Sequence, residues 1–108
     1  MIEQKREYYR VEYPLNDRPA LLSMDDEFEV VDISEGGLKF KVDSNVNLSV
    51  GDELGGTIKF SDNYTFACKG KVIRIDDGKV AINYAHNLPL ERVRLEHLLL
   101  IQKYHTKH

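Results

Sequence analysis

Leu38-Lys39-Phe40-Lys41-Val42 alternates apolar and basic side chains with a period of two. This is the signature of a β-strand buried on one face, with the lysines turned outward on the other. Val80, Ile82 and Tyr84 repeat the alternation just after Asp77-Gly78, a dipeptide suited to the type I′ turn of a tight hairpin, so the strands on either side of that turn are expected to pair. On the N-terminal side, β-branched Val30, Val31 and Ile33 mark a strand from Phe28 to Ser34. An earlier strand around Ala20 to Met24 reaches it through a turn at Asp25-Asp26, and Gly36-Gly37 leads on into the lysine-bearing strand.

Beyond the polar loop from Asn45 to Asp52, a strand is expected near Thr57 to Phe60, and Asp62-Asn63 turns the chain into Tyr64 to Cys68. There the apolar side chains fall on even positions, whereas Ile73 and Ile75 are odd. The inward phase must slip between them, and a bulge or bend at Gly70 or Lys71 would do it. Pro89, Glu91 in a first turn, and apolar Leu90, Val93, Leu98, Leu99 and Ile101 ahead of Lys103 and His105 describe a helix over 88–104. Its apolar stripe is expected to cap the sheet. About six closely spaced strands and one helix indicate a mainly all-β fold, a six-stranded antiparallel β-barrel with one C-terminal α-helix, because closing the sheet removes its exposed edges.

A length of 108 residues, 42% hydrophobic and 31% charged, is enough for one domain with a modest core. Residues 1–11 read as a charged, flexible N-terminal arm, 18–86 as the barrel and 88–104 as the helix. A net charge of −3 and a pI near 5.8 oppose a general DNA or RNA binder, which needs a broad basic surface, so any anion site is local. No apolar run is long enough for a membrane span and the polar start lacks a signal-peptide core, so a soluble, cytoplasmic protein is expected. Cys68 sits in an apolar strand pattern and reads as a core thiol. His86, His97, His105 and His108 show no metal-ligand spacing, and the acidic pairs fall in turns where aspartate caps backbone. No catalytic set and no cofactor motif emerges; a binding protein is expected rather than an enzyme.

Two motifs carry the binding chemistry. Arg6 and Arg10, preceded by Lys5, share one side of the chain whether it is helical or extended, and their planar guanidinium forks match phosphates and the O6/N7 edge of guanine. Asp32-Ile33-Ser34-Glu35-Gly36-Gly37 puts Asp32 and Ser34 on one face of a strand and Ile33 on the other. Gly36 and Gly37 can take up positive φ and let a ligand approach backbone amides. Alone, each motif is ambiguous: arginines at this spacing are common in solvated segments, and the second stretch also reads as an ordinary hairpin loop. Lys39 lies on the same general face and reads equally as pocket charge or as a solvated strand lysine, while Arg74 is explained by its acidic neighbours Asp76 and Asp77.

Arg-x-x-x-Arg followed by Asp-x-Ser-x-x-Gly resembles the signature of the bacterial PilZ domains, and both halves are present without departure. Arg-Glu-Tyr-Tyr-Arg-Val at 6 to 11, Asp-Ile-Ser-Glu-Gly-Gly-Leu at 32 to 38, Gly-Lys-Val-Ile-Arg at 70 to 74 and the closing helix extend the likeness from about Lys5 to Tyr104. The resemblance implies a six-stranded barrel that binds the second messenger cyclic di-GMP without chemistry on it and signals to a downstream protein in motility, surface polysaccharide or biofilm control. It also implies that Arg6 and Arg10 grip phosphate and guanine edges, that Asp32 and Ser34 bond the second guanine region, and that Gly37 keeps the turn open. A basic residue at Lys5 is where members that bind two intercalated ligands often carry one, implying two molecules per chain. The rival readings are a ligand-free PilZ-type interaction adaptor and a barrel for single-stranded nucleic acid; the intact motifs oppose the first and the negative charge opposes the second.

Overall fold

The computed structural model describes residues 9–105. Among these, the strands are β1 (Val11–Glu12), β2 (Ala20–Ser23), β3 (Asp26–Ile33), β4 (Gly37–Lys41), β5 (Glu53–Lys59), β6 (Thr65–Asp76) and β7 (Lys79–Tyr84), followed by helix α1 (Leu90–His105). All pairings are antiparallel. The ring runs β2-β5-β6-β7-β4-β3 and closes on itself, because β3 pairs with β4 on one edge and β2 on the other. This is the expected six-stranded barrel with one C-terminal helix. β1 is an added rung outside the ring, Val11 facing Ile33 and Glu12 facing Asp32, and is too short to leave a periodic signal in sequence.

The lysine-flanked strand behaves as its alternation demands. Leu38 and Phe40 are buried against Ile82 and Val80 across the β4–β7 ladder, while Lys39 and Lys41 lie on the other face. Leu21, Val30, Ile33, Ile58, Phe60 and Val72 complete the interior, and Cys68 is a buried thiol whose pKa is pushed up by that burial. Asp77 and Gly78 both have positive φ between the paired Asp76 and Lys79, the geometry of the expected type I′ turn. The β2–β3 turn is one residue earlier than expected: Met24 and Asp25 take the positive-φ positions, and Asp26 instead closes the ladder opposite Ser23.

Two bulges set the phases of the long strands. On β3 the register with β4 skips Val31, which lets Val30 and Ile33, three apart, both point inward. On β6 the skipped residue is Ile73, since Val72 faces Ile82 and Arg74 faces Ala81. The slip is therefore not at Gly70 or Lys71. Gly70 is in register with Tyr84, and it is glycine because an added Cβ would come 2.7 Å from the Asn83 carbonyl oxygen. With the slip delayed to Ile73, Ile73 and Ile75 finish exposed rather than turning back into the core.

Helix α1 packs on a different face from the one its leucines suggest. Val93 is fully buried and Arg92 and Glu96 are buried with it, whereas Leu98, Leu99 and Ile101 are exposed. An ionic network accounts for the choice. The Arg92 guanidinium donates to Glu96 at 2.8 Å and to Asp62 at 3.1 Å, and lies 3.9 Å from the Tyr64 ring centroid. The Tyr13 hydroxyl donates to the other Glu96 oxygen at 2.6 Å, and burial together with that bond holds its pKa far above the usual tyrosine range. The Tyr9 ring rests 5.2 Å from that of His97, and Lys103 and Tyr104 both donate to Asp17 in the short 3-10 turn Leu15–Asp17. The chain from Tyr9 to Asp17 is thus fastened along the helix.

The network makes a stability prediction. Tyr13→Phe removes one buried hydrogen bond and should cost about 1–2 kcal/mol. Glu96→Ala also strips Arg92 of a buried partner and should cost about 3 kcal/mol or more. Urea unfolding should show lower midpoints with unchanged slope for both, in that order.

Candidate functional site

The β3 bulge at Val31 decides what the second motif presents. With Ile33 committed to the core, Asp32 falls on the outer face of β3, opposite Glu12 of β1 and Lys39 of β4. Arg10 stands two residues before Glu12 and reaches the same face. Its Nη1 donates to Asp32 Oδ1 at 2.9 Å, and Lys39 Nζ lies 3.7 Å from Oδ2, so each carboxylate oxygen meets one cation. The Asp32 side chain is only 3% exposed and that of Arg10 is 51% exposed. A buried anion therefore aims a half-free guanidinium.

The turn beyond Ile33 is built from backbone. The Ser34 amide donates to the Gly37 carbonyl at 2.9 Å and the Ser34 hydroxyl to the same oxygen at 3.3 Å. The Gly36 carbonyl accepts from Tyr84 N–H and the Glu35 carbonyl from Leu88 N–H, stapling the turn to β7 and to the link into α1. Positive φ, expected for Gly36 and Gly37, occurs instead at Gly51 and Gly78. Gly37 is glycine for space: a Cβ there would stand 2.1 Å from the Ile82 carbonyl oxygen.

Between the Arg10 segment and this turn lies a cavity of about 570 Å³. Of the residues singled out from sequence, Arg10, Ser34, Gly36 and Gly37 line it; Asp32, which holds Arg10, and Lys39 do not, and Lys5 and Arg6 lie outside the described residues. Arg74 is absent from the wall and sits 3.8 Å from Asp76, both well exposed. The wall also contains Ile73, Ala81, Asn83 and Asn87, which sequence reasoning passed over. Ala81 and Asn83 were within reach, being the outward positions between Val80, Ile82 and Tyr84. Ile73 owes its place to the bulge and Asn87 to a loop, and neither leaves a periodic trace. Among the described residues no group of three His, Cys, Asp or Glu is placed to hold a metal, and no helix is long and apolar enough to cross a membrane.

The family model described as PilZ domain matches residues 4–100. The chain belongs to the PilZ family. Solved PilZ structures have the same fold: the PilZ domain with c-di-GMP of YcgR from Escherichia coli aligns at a TM-score of 0.76 with 18% identity, over 97% of this chain and 100% of that one. YcgR in complex with c-di-GMP from Escherichia coli gives 0.73 at 17% identity, over 96% of this chain and 50% of that chain. The Bacillus subtilis inhibitor of motility MotI/DgrA gives 0.68 at 14% identity, over 98% and 55%. The chain thus spans about half the length of these last two. Among curated proteins none matches its sequence significantly.

The contact at Gly37 can be tested directly. Gly37→Ala must push β4 off β7 at the cavity floor, and should cost about 2 kcal/mol or more, seen as a fall of several degrees in the thermal unfolding midpoint.

Proposed function

We propose that this PilZ domain is a receptor for cyclic di-GMP, performs no reaction on it, and reports its presence to a partner protein in the cytoplasm. One observation carries the reading: the Arg10 guanidinium and the Ser34–Gly37 turn, from motifs more than twenty residues apart in sequence, face the same cavity. Its volume of about 570 Å³ is that of a small-molecule site. The YcgR PilZ domain, similar over nearly the whole chain, has c-di-GMP in its structure. The local positive charge suits a ligand with two phosphates, although the chain as a whole is acidic.

In this reading Arg10 is presented by Asp32, whose other oxygen faces Lys39, and its exposed edge takes a phosphate oxygen or the O6/N7 edge of a guanine. Arg6 supplies the second fork of the arm. Lys5 ahead of it adds charge for a second ligand molecule, giving two per chain. Gly37 leaves the floor open, and Ser34, with its proton given to the Gly37 carbonyl, offers its lone pairs to a ligand donor. For Asp32 to bond a guanine directly, Arg10 must first leave it. Capture of the ligand then changes the surface around the arm, and a partner reads that change. The likeness to the Bacillus subtilis inhibitor of motility supports motility as the process, with surface polysaccharide and biofilm control as the other outputs of this messenger.

Calorimetry with cyclic di-GMP tests ligand, site and stoichiometry together. Wild type should bind with two molecules per chain, and Arg6→Ala or Arg10→Ala should each lose tenfold to hundredfold in affinity, about 1.5–3 kcal/mol. One ligand per chain removes the pair, unchanged affinity in both variants removes the arm, and displacement of the ligand by a single-stranded oligonucleotide favours a nucleic-acid barrel instead.

A further inference from the structure

The motif residues expected to read the base are largely engaged within the protein. Asp32 faces Arg10 and Lys39, and the Ser34 proton goes to a backbone carbonyl. Two side-chain amides on the same cavity wall, those of Asn83 and Asn87, make no hydrogen bond among the described residues and are exposed. Asn83 is on β7 directly opposite Gly37, so no side chain shades it from the β4 side. Asn87 precedes Leu88, whose N–H is tied to the Glu35 carbonyl, which holds this loop against the Ser34–Gly37 turn. The two amides therefore border the turn at either end of its staples to β7 and to the helix link.

The chemistry they add is what an arginine lacks. A guanidinium only donates, so it can meet guanine O6 and N7 but cannot accept from guanine N1–H or from the 2-amino group. An asparagine carbonyl accepts one or the other of those protons, and where it takes N1–H its NH₂ can donate to O6. Taking the cyclic di-GMP reading as its basis, we infer that Asn83 and Asn87 are the specificity-determining residues of the site, accepting from guanine N1–H and the 2-amino group. A site that accepts from a ligand N–H discriminates against the analogue without it, since the acceptor is left unpaired.

Cyclic di-IMP, which differs from cyclic di-GMP by the loss of the 2-amino groups, is the probe. Wild type should bind cyclic di-GMP about tenfold or more tightly than cyclic di-IMP. At least one of Asn83→Ala and Asn87→Ala should lose that preference by weakening for the guanine ligand alone. Asn→Asp at the same position retains an acceptor and should restore the preference, a ratio insensitive to the added charge because both ligands carry the same phosphates. Asn47→Ala, at an exposed site away from the cavity, should match wild type. Wild-type preference retained in both alanine variants overturns the assignment while leaving the receptor intact. A wild type that binds neither ligand overturns the receptor reading and the assignment together.

Discussion

The barrel depends on one strand, β3, being paired on both of its edges. β3 gives its first half to β2 and its second half to β1 on one edge, while the other edge runs along β4, and without that double pairing the sheet would stay open with exposed edges. Closure brings β4 against β7 so tightly that residue 37 has no space for a side chain. The signature glycine is therefore a condition of the fold before it is a feature of the site. Ser34, three residues earlier, follows the same logic, since its amide and hydroxyl both close on the Gly37 carbonyl.

The β3 bulge joins fold to electrostatics. By spending one residue at Val31 it sends Ile33 into the core and leaves Asp32 outside, where Arg10, just ahead of β1, and Lys39 of β4 each meet one of its oxygens. The carboxylate is nearly inaccessible, yet it controls the orientation of a guanidinium that is half in solvent. Positive charge is thus displayed on an acidic protein by local pairing, with no need for a basic surface.

Much of this was legible in the sequence, because period-two alternation is a direct imprint of a sheet with one wet face. Leu38 to Val42, Val80 to Tyr84 and the Asp77-Gly78 turn give the ladder, the inward face and a hairpin. What escaped depends on tertiary contacts that no local window contains. The sequence pattern puts the β6 slip at Gly70 or Lys71, and only the register with β7 moves it to Ile73. The leucines of α1 suggested one face, but pairing of Arg92 and Glu96 with Asp62 and Tyr13, remote in sequence, selected another. Of the eight residues nominated from the two motifs and their flanks, Arg10, Ser34, Gly36 and Gly37 line the cavity, while Asn83 and Asn87 carry no signal until Gly37 and the Glu35 carbonyl are placed beside them.

The fastening of residues 9–17 along α1 has a thermodynamic consequence. Arg10 lies between Tyr9, whose ring packs tilted against His97, and Tyr13, bonded to Glu96, so the residue that would feel a ligand is spliced into the segment that holds the helix. Work done on one is work done on the other. Linkage is symmetric: whatever free energy a ligand at Arg10 adds to or removes from helix docking, a protein gripping the exposed Leu98 and Ile101 edge returns to the ligand equilibrium in equal measure. For the proposed receptor, apparent affinity would then be set in part by whatever protein holds the helix.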